Sequence, residues 1–454
     1  MNRRDFLNSS VGAGATALLG AGFVSAAPAA ISRQPGEGVV LGVIGLGGRG
    51  ESLTKGFLDR PDVSIAYLCD PDSRQKPELS DLVAEKSGRR PTRVTDYRRV
   101  LDDKSVDAVV IATPDHWHCP LTVFACMAEK DVYVEKPLSH NIWEGQKAIQ
   151  AARNHKRVVQ VGMQCRSAPY IIHAQQYIRE GKLGKIAYCR VCNLKSGGPF
   201  LQQPDTAPPP GVDYDLWLGP APQHAFNPGR FHKQWHYYWD YSGGDMANDG
   251  VHQIDVARWL MGKDWPKYVT SNGGNFAFEK DDNETPDTQT ATFEFGDSQI
   301  HFEQIGYGGY MVKEDNELRS NDIFPLWQQY STRIELYGTK GVMFLGRHGG
   351  GWQVFTKPAR WKEQVAAQEY GRFPDKPHKA NFIDCIRSRE RPNADVEEGH
   401  RTATMVHLAN ISYRLGGAKL QFDSGSETVV NNPDANGYLR RENAREPYAI
   451  PDVV

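Results

Sequence analysis

The chain has 454 residues, which exceeds one ordinary hydrophobic core, so two domains are expected. Its 53 Lys and Arg residues nearly balance its 55 Asp and Glu residues, giving a net charge of −2. Proteins that follow a nucleic-acid backbone normally carry a basic stripe, and the sequence has no long block of one sign, so nucleic-acid binding is disfavoured.

The first 30 residues have the features of a twin-arginine export signal. Arg3 and Arg4 precede a weakly apolar, Gly- and Ala-rich run over residues 11–24, and small residues suited to cleavage follow. We predict removal of residues 1–30 and a periplasmic or otherwise exported location, with an uncleaved anchor as the weaker alternative. No later apolar run approaches the roughly 20 residues of a membrane span, so the mature chain is expected to be soluble.

Residues 37–162 alternate short apolar runs with helix-like stretches, which is typical of a parallel sheet covered on both faces. The predicted strands are Val39–Ile44, Val63–Leu68, Ala108–Ala112, Val132–Val134 and Val158–Val161, with helices over Leu121–Glu129 and Trp143–Asn154. This pattern predicts an α/β domain with a doubly wound, Rossmann-type parallel sheet.

A glycine-rich turn follows the first predicted strand and opens a predicted helix. It consists of Gly45, Leu46, Gly47, Gly48, Arg49 and Gly50. Gly45 permits the tight turn, Gly47 lets the backbone approach a pyrophosphate, and Gly50 lets helix and strand pack closely. The turn therefore predicts a dinucleotide site.

Asp70, at the end of the next strand, indicates which dinucleotide is preferred. Its carboxylate can accept hydrogen bonds from ribose hydroxyls and would repel a 2′-phosphate, so NAD is predicted and NADP is less favoured. Arg49 and Arg74 lie near in sequence and would partly offset this preference. Because twin-arginine export moves folded proteins, we expect the cofactor to be loaded inside, tightly held and recycled internally.

The strand Val132–Val134 runs directly into Glu135, Lys136 and Pro137. Ligands bind at the carboxyl ends of strands in such sheets. Pro137 forces Lys136 toward extended geometry, so its ammonium could project over the nicotinamide toward a substrate hydroxyl. Desolvation and a cationic nicotinamide would both lower the pKa of Lys136, which suits proton transfer.

Residues 163–454 change to period-two patterns, which predict a C-terminal α+β domain with an open, mostly antiparallel sheet. The predicted strands are Ile186–Asn193, Thr288–Phe295, Gln299–Ile305, Thr332–Tyr337 and Gly341–Leu345, followed by helices over Lys379–Arg387 and Glu397–Arg414. Residues 205–211, which contain three consecutive prolines, are expected to form an ordered surface excursion.

A second candidate catalytic segment extends from Gly243 to Asp255. Asn248, His252 and Asp255 have helix-like spacing and can share a face, and a histidine there can relay a proton while hydride leaves carbon. Residues 230–241 interleave aromatic rings with hydrogen-bond donors, which suits a carbohydrate ring, although packing under a long loop is an equal alternative. The candidate substrate-binding residues are Lys136, Arg166, Trp235, Tyr238, Asp249 and His252.

Together these motifs resemble the Gfo/Idh/MocA oxidoreductases, the group of glucose–fructose oxidoreductase and inositol dehydrogenase. The resemblance covers nearly the whole mature sequence and implies that Lys136 and His252 are the catalytic lysine and histidine. It also implies cofactor contacts from Thr113, Pro114, His118, Glu135, Lys136 and Gln164, in addition to the glycine turn and Asp70.

One position departs from the family pattern. The family usually places an aspartate four residues before the histidine, where this chain has Asn248, followed by Asp249. An amide cannot take a proton as a carboxylate does. Either Asp249 substitutes through a local shift, or the relay differs and simple alcohol oxidation is in doubt; both residues stay catalytic candidates.

Three functions fit these residues. The first is NAD(P)-dependent hydride transfer to or from a sugar or polyol. The alternative is a redox-neutral, NAD-dependent glycosidase that oxidises C3, eliminates the leaving group, adds water and returns the hydride, since no paired-carboxylate signature of ordinary glycoside hydrolysis is identifiable. The third is a non-catalytic nucleotide- or sugar-binding module. No metal site is predicted, and a homo-dimer or tetramer is expected by family analogy.

Overall fold

The computed structural model describes residues 38–358, 360 and 362–454. The export signal predicted over residues 1–30 lies outside the described residues. Residues Gly38–Val454 form one compact unit that contains two sheets. Within the described part of the chain, no helix combines the length and apolarity that crossing a membrane requires.

The first sheet is parallel and has the strand order β3-β2-β1-β4-β5-β6, so the doubly wound prediction is confirmed. Its strands are β1 (Val39–Ile44), β2 (Val63–Cys69), β3 (Thr92–Val94), β4 (Ala108–Ile111), β5 (Asp131–Val134) and β6 (Val159–Val161). The helices of this half are α1 (Gly48–Leu58), α2 (Leu79–Ser87), α3 (Arg98–Leu101), α4 (His118–Met127) and α5 (Ile142–Asn154).

Burial explains which of these strands could be predicted from the sequence. Every residue of β1, β4, β5 and β6 is buried, because helices cover both faces, and the strands therefore appear as mainly apolar runs without polar alternation. Strand β3 was not predicted. It is a three-residue edge strand with a partly exposed Thr-Arg-Val sequence, and it has neither apolar continuity nor a clear alternation.

The second sheet has the order β14-β13-β12-β11-β7-β10-β9-β8-β15-β16, and its described pairs are antiparallel except β7 with β10, as the mostly antiparallel prediction states. Its strands are β7 (Ile186–Leu194), β8 (Tyr268–Gly274), β9 (Thr288–Glu294), β10 (Gln299–Ile305), β11 (Arg333–Gly338), β12 (Gly341–Gly346), β13 (Trp352–Phe355), β14 (Val365–Glu369), β15 (Leu420–Asp423) and β16 (Thr428–Val429). The accompanying helices are α6 (Pro169–Arg179), α7 (Tyr214–Leu218), α8 (Val251–Leu260), α9 (Asn316–Ser320), α10 (Asp375–Ser388), α11 (Val396–Arg414) and α12 (Pro433–Asn436).

One face of this sheet packs against α8 and α11 and forms the larger core. The alternation in β9 shows the cause: Gln289, Ala291 and Phe293 are buried, while the residues between them are more exposed. Helix α10 instead packs on the first sheet, where Phe382 meets the rings of Phe57 and Tyr133. The C-terminal half thereby contributes side chains to the region around the glycine turn.

Candidate active site

A cavity of about 430 Å³ lies at the carboxyl ends of β1 and β4, where the strand order reverses. Loops diverge at such a switch point, which is why ligands bind there in open α/β sheets. The predicted site residues that line the cavity are Gly45, Gly47, Gly48, Arg49, Asp70, Thr113, Pro114, His118, Glu135, Lys136, Gln164, Trp235, Asn248, Asp249 and His252.

The glycine turn has the shape that a pyrophosphate needs. Gly45 has φ +89°, and a Cβ on Gly50 would come 1.9 Å from the Gly45 carbonyl oxygen, so both positions require glycine. No described atom lies within 4 Å of a Cβ built on Gly47 or Gly48, and α1 begins without a side-chain cap. Its free backbone N–H groups therefore face open space at the cavity wall, and the site fits a dinucleotide.

Leu46 and Gly50 shape this turn without lining the cavity. Leu46 is fully buried, and its backbone N–H donates to Asp70 Oδ2 at 2.8 Å. Asp70 Oδ1 accepts from the Asp72 N–H at 2.9 Å, and burial raises the Asp70 pKa. Each carboxylate oxygen keeps a lone pair for a ribose hydroxyl.

Neither nearby arginine is free to receive a 2′-phosphate. The Arg74 guanidinium bonds the Asp72 carboxylate at 2.8 Å and does not line the cavity. Arg49 bonds Glu135 at 2.8 Å and, from α10, Asp375 at 3.0 Å. Both arginines are thus paired with carboxylates. Although their sequence positions had suggested it, they do not weaken the preference for NAD over NADP that Asp70 creates.

Lys136 follows β5 after Glu135 and is half-buried at the cavity wall. Its Nζ donates to the backbone carbonyl of Asn248 and to the side-chain Oδ1 of Asn248, the latter at 3.2 Å. Burial lowers the Lys136 pKa, against the raising effect of Asp115, Asp249 and Glu135. Asn248 therefore positions the ammonium that the sequence predicted to be catalytic.

A wide π-helical turn over Met246–Gly250 precedes α8 and brings both Asn248 and Asp249 to the cavity. Asp249 accepts from Lys195, from Lys313 at 3.1 Å and from Arg347 at 2.9 Å. These cations hold the Asp249 pKa well below its usual range, against the effect of burial. Asp249 thus reaches the cavity, as substitution for the family's aspartate would require, and three cations favour its ionised form there.

His252 lies one helical turn after Asn248 and is 5% exposed. Its Nδ1 has no hydrogen-bond partner among the described residues, and its ring centroid lies 4.8 Å from that of His348. Burial, with the positive charges of Arg347 and Lys136, lowers the His252 pKa well below its usual range. The ring is therefore uncharged near neutral pH, and its unbonded Nδ1 is available for a hydrogen bond with a bound hydroxyl.

The predictions for Arg166 and Asp255 are corrected by the structure. Arg166 is buried and forms a bidentate pair with Asp255 at 2.8 Å and a second pair with Glu398 at 2.9 Å. Neither Arg166 nor Asp255 lines the cavity. The ions instead tie α8 and α11 to the segment after β6, because each buried charge needs its partner there.

We expect Arg166→Met to lower the free energy of unfolding by ~3–5 kcal/mol, because it removes the bidentate partner of the buried Asp255 carboxylate and one partner of the half-buried Glu398. The Michaelis constant for substrate should stay unchanged, since the side chain is away from the cavity. Urea unfolding and steady-state kinetics check this. A raised Michaelis constant with normal stability would return Arg166 to the substrate site.

One candidate of the aromatic segment is also placed away from the cavity. Tyr238 is 2% exposed, donates to Asp282 at 2.8 Å and packs under the guanidinium of Arg230. Much of the segment forms its own small aromatic core, so the packing alternative holds for Tyr238, while Trp235 lines the cavity.

Several cavity residues were not predicted from the sequence. They are Asp115, Leu216, Trp217, Lys313, Arg319, Arg347, His348 and Phe373, whereas His232 and His236, which also line the cavity, belong to the aromatic segment predicted over residues 230–241. One available signal was Arg347-His348 followed by Gly349-Gly350-Gly351, directly after β12, since such a glycine run marks a close backbone approach. The other unpredicted residues lie in segments that carry no recognisable sequence motif.

Residues 205–241, here called the strap, attach to the end of β2 beside Asp70. The Ser73 N–H donates to the Gly211 carbonyl and the Asp213 N–H to the Pro71 carbonyl, both at 2.9 Å. His232 bonds Asp72 Oδ2, also at 2.9 Å. The strap residues that line the cavity are Leu216, Trp217, His232, Trp235 and His236, so the strap forms one wall of the dinucleotide site.

Within the described ranges, no group of three or more His, Cys, Asp or Glu side chains is placed to hold a metal ion.

The two halves of the chain match two profiles of one oxidoreductase family. Residues 39–163 match its NAD-binding Rossmann fold, and residues 198–285 and 359–450 match its C-terminal alpha/beta domain. The chain belongs to the Gfo/Idh/MocA oxidoreductase family. The resemblance seen in the motifs is confirmed, as are the NAD-binding oxidoreductase class and NAD as cofactor.

A myo-inositol 2-dehydrogenase of Thermotoga maritima is 23% identical over 305 residues, which are 67% of this chain and 74% of that protein. A glycosyl hydrolase family 109 protein of Stenotrophomonas maltophilia is 31% identical over 134 residues, 28% of each chain. The solved structure of a levoglucosan dehydrogenase with NADH and levoglucosan has a TM-score of 0.60 at 18% identity, covering 87% of this chain and 100% of that one. That likeness shows the fold, and the matched share of the curated relatives ranges from 26% to 74%.

Proposed function

We propose that this Gfo/Idh/MocA protein oxidises a hydroxyl-bearing carbon of a sugar or polyol with NAD held on the glycine turn. The observation that carries the proposal is the placement of Lys136, Asn248 and His252 in one cavity wall with that turn. The names of relatives that act on inositol and levoglucosan support this substrate class.

The chain's own groups account for the proton of the substrate hydroxyl. Neutral His252 accepts it, and Lys136 donates a hydrogen bond to the same oxygen as the carbonyl forms. Asn248 holds the Lys136 ammonium in place, and Asp249 balances the surrounding positive charge instead of moving a proton. NAD, when bound, supplies the hydride acceptor.

The experiment that tests this proposal is the absorption spectrum of freshly purified protein after single sugars and polyols are added. Accumulation of reduced nicotinamide with at least one of them is expected. If the protein contains NAD, and no sugar or polyol in a broad panel reduces it or is changed, the proposal is wrong.

We further propose export by the twin-arginine route with NAD already enclosed. The strap supports this, because it is bonded to Ser73 and Pro71 through its backbone and forms one wall of the dinucleotide site. A cofactor with nanomolar affinity is bound by roughly 12 kcal/mol, which makes escape slow. Such a cofactor must be reoxidised in place by a second substrate.

His232→Ala is expected to speed NAD dissociation by about tenfold, because it removes a strap hydrogen bond to the Asp72 carboxylate. Dilution followed by rapid filtration measures the rate at which bound NAD is lost. His173→Ala is a matched control, since His173 also bonds a carboxylate, that of Glu369 at 2.8 Å, but lies outside the cavity. Equal rates of NAD loss in the two variants would show that the strap does not retain the cofactor.

A redox-neutral glycosidase is the second candidate. Asn248 in place of a carboxylate, a strap suited to retaining the reduced cofactor, and relatives described as glycosyl hydrolase family 109 proteins favour it. Release of an aryl leaving group from nitrophenyl glycosides without net reduction of the cofactor would decide for this activity.

We also propose a homo-oligomer formed through the face of the second sheet that α8 and α11 do not cover. This face carries half-buried Tyr188, Arg190 and Glu303 and the exposed Tyr337, with the two tyrosine rings 5.5 Å apart. A dimer or tetramer is expected in light scattering of the mature protein, and a monomer at micromolar concentration contradicts it.

A further inference from the structure

One part of the cavity wall is dominated by charged and aromatic side chains from the second half of the chain. This group, here called the distal cluster, consists of Asp249, Lys313, Arg319, Arg347, His348 and Phe373. Its members are contiguous: Asp249 bonds Lys313 and Arg347, the His348 ring lies 4.8 Å from the Phe373 ring, and the Arg319 guanidinium lies 5.0 Å from the same ring.

The charges of the distal cluster do not balance. Arg347 is matched by Asp249 and by the buried Glu314 at 2.6 Å. Lys313 shares Asp249 with Arg347 and Lys195. Arg319 approaches Glu314 only at 3.6 Å, beyond hydrogen-bond distance, and Glu314 already accepts from Arg347 and Thr332. Arg319 thus shares the Glu314 carboxylate with Arg347 and His348 and has no hydrogen-bonded carboxylate.

Buried donors in the same cluster lack partners. Arg319 Nε and His348 Nε2 have no hydrogen bond to any described residue, while His348 Nδ1 lies 3.5 Å from the Glu314 carboxylate, and His348 is only 6% exposed. Burial lowers the His348 pKa to about 4, so near neutral pH the ring is uncharged and offers one N–H. Buried polar atoms are almost always bonded, so unpaired ones at a cavity wall indicate a ligand.

We propose that the substrate is an anionic sugar whose acidic group, a carboxylate or a phosphate ester, binds Arg319 and Lys313 while His348 donates or accepts one further hydrogen bond. This deepens the proposed function and rests on it. A guanidinium presents its N–H groups in a planar fork that matches either oxyanion, and the flat faces of Phe373 and Trp235 can contact the ring carbons. A neutral sugar would leave Arg319 with only the shared Glu314 carboxylate at 3.6 Å.

The test measures binding and turnover separately, on the NAD-loaded protein. Matched sets of an aldose, its uronate and its 6-phosphate, in the gluco, galacto and manno series, are titrated by calorimetry and then assayed for nicotinamide reduction. In at least one series we expect an acidic member to bind about tenfold or more tightly than the aldose, because the added charge meets a cation that has no hydrogen-bonded carboxylate. The tighter acidic member shows whether the group is a carboxylate or a phosphate.

Arg319→Leu is the diagnostic variant, and Arg372→Leu is its control. Arg372 is an exposed arginine that pairs with Asp322 at 3.0 Å and does not line the cavity. Arg319→Leu should reduce the acidic-to-neutral affinity ratio to near one, whereas Arg372→Leu should keep the wild-type ratio.

Equal affinity for acidic and neutral sugars in the wild type overturns the anionic-sugar proposal, while turnover of neutral sugars would leave the oxidoreductase proposal standing. An acidic preference without any reduction of nicotinamide has the opposite meaning: the subsite is real and the proposed reaction is wrong.

Discussion

Lys136→Met is expected to lower turnover by at least ~100-fold, in line with the usual contribution of a positioned acid–base group. Methionine keeps an unbranched stem of similar length but removes the ammonium that Asn248 holds through two oxygens. The bound NAD should remain, because the glycine turn and Asp70 are unchanged. Single-turnover reduction of nicotinamide gives the rate, and NAD released on denaturation gives the occupancy.

Lys130→Met provides a matched control within the same domain. Lys130 is a buried lysine whose ammonium likewise donates to backbone carbonyls, those of Asp103 at 2.7 Å and Val106 at 3.0 Å. Burial lowers its pKa as it does that of Lys136, but Lys130 does not line the cavity. Loss of stability without loss of turnover is expected. Comparable turnover losses in the two variants would trace the effect to a damaged domain rather than to proton transfer.

The features that could be predicted are those encoded by residues next to one another in the sequence. Strands β1, β4 and β5 are mainly apolar runs because both faces are buried, and the glycine turn follows β1 directly. Lys136 could be placed because β5 ends beside it and Pro137 restrains it. Each of these inferences needs only local spacing and the general rule that ligands bind at strand ends.

The features that could not be predicted depend on contacts between side chains that are far apart in the sequence. Asp249 was recognised, but its state is set by Lys195, Lys313 and Arg347, which come from three separate segments. No regular spacing in the sequence identifies ion pairs between separate segments. Arg166 illustrates the same difficulty. It follows β6 as predicted, but its side chain pairs with Asp255 on α8 and Glu398 on α11 and does not enter the cavity.

Gly50→Ala is expected to destabilise the protein by ~1–3 kcal/mol and to weaken NAD binding by about tenfold or more, because overpacking at this point pushes α1 away from the turn. The added Cβ would lie 1.9 Å from the Gly45 carbonyl oxygen, which is backbone and cannot rotate away. Moving that carbonyl moves the turn that carries the pyrophosphate contacts.

Gly48→Ala separates this steric effect from helix propensity. Both positions lie in α1, where alanine is favoured over glycine by up to ~1 kcal/mol, but a Cβ at Gly48 meets no described atom within 4 Å. Gly48→Ala should therefore equal or exceed the wild type in stability, while Gly50→Ala is less stable. Because Gly48 lines the cavity, NAD binding of Gly50→Ala is compared with that of the wild type. Urea unfolding and calorimetric NAD binding measure these differences. If the two variants are equally stable and Gly50→Ala binds NAD as the wild type does, close packing of α1 on the Gly45 turn does not hold the dinucleotide site together.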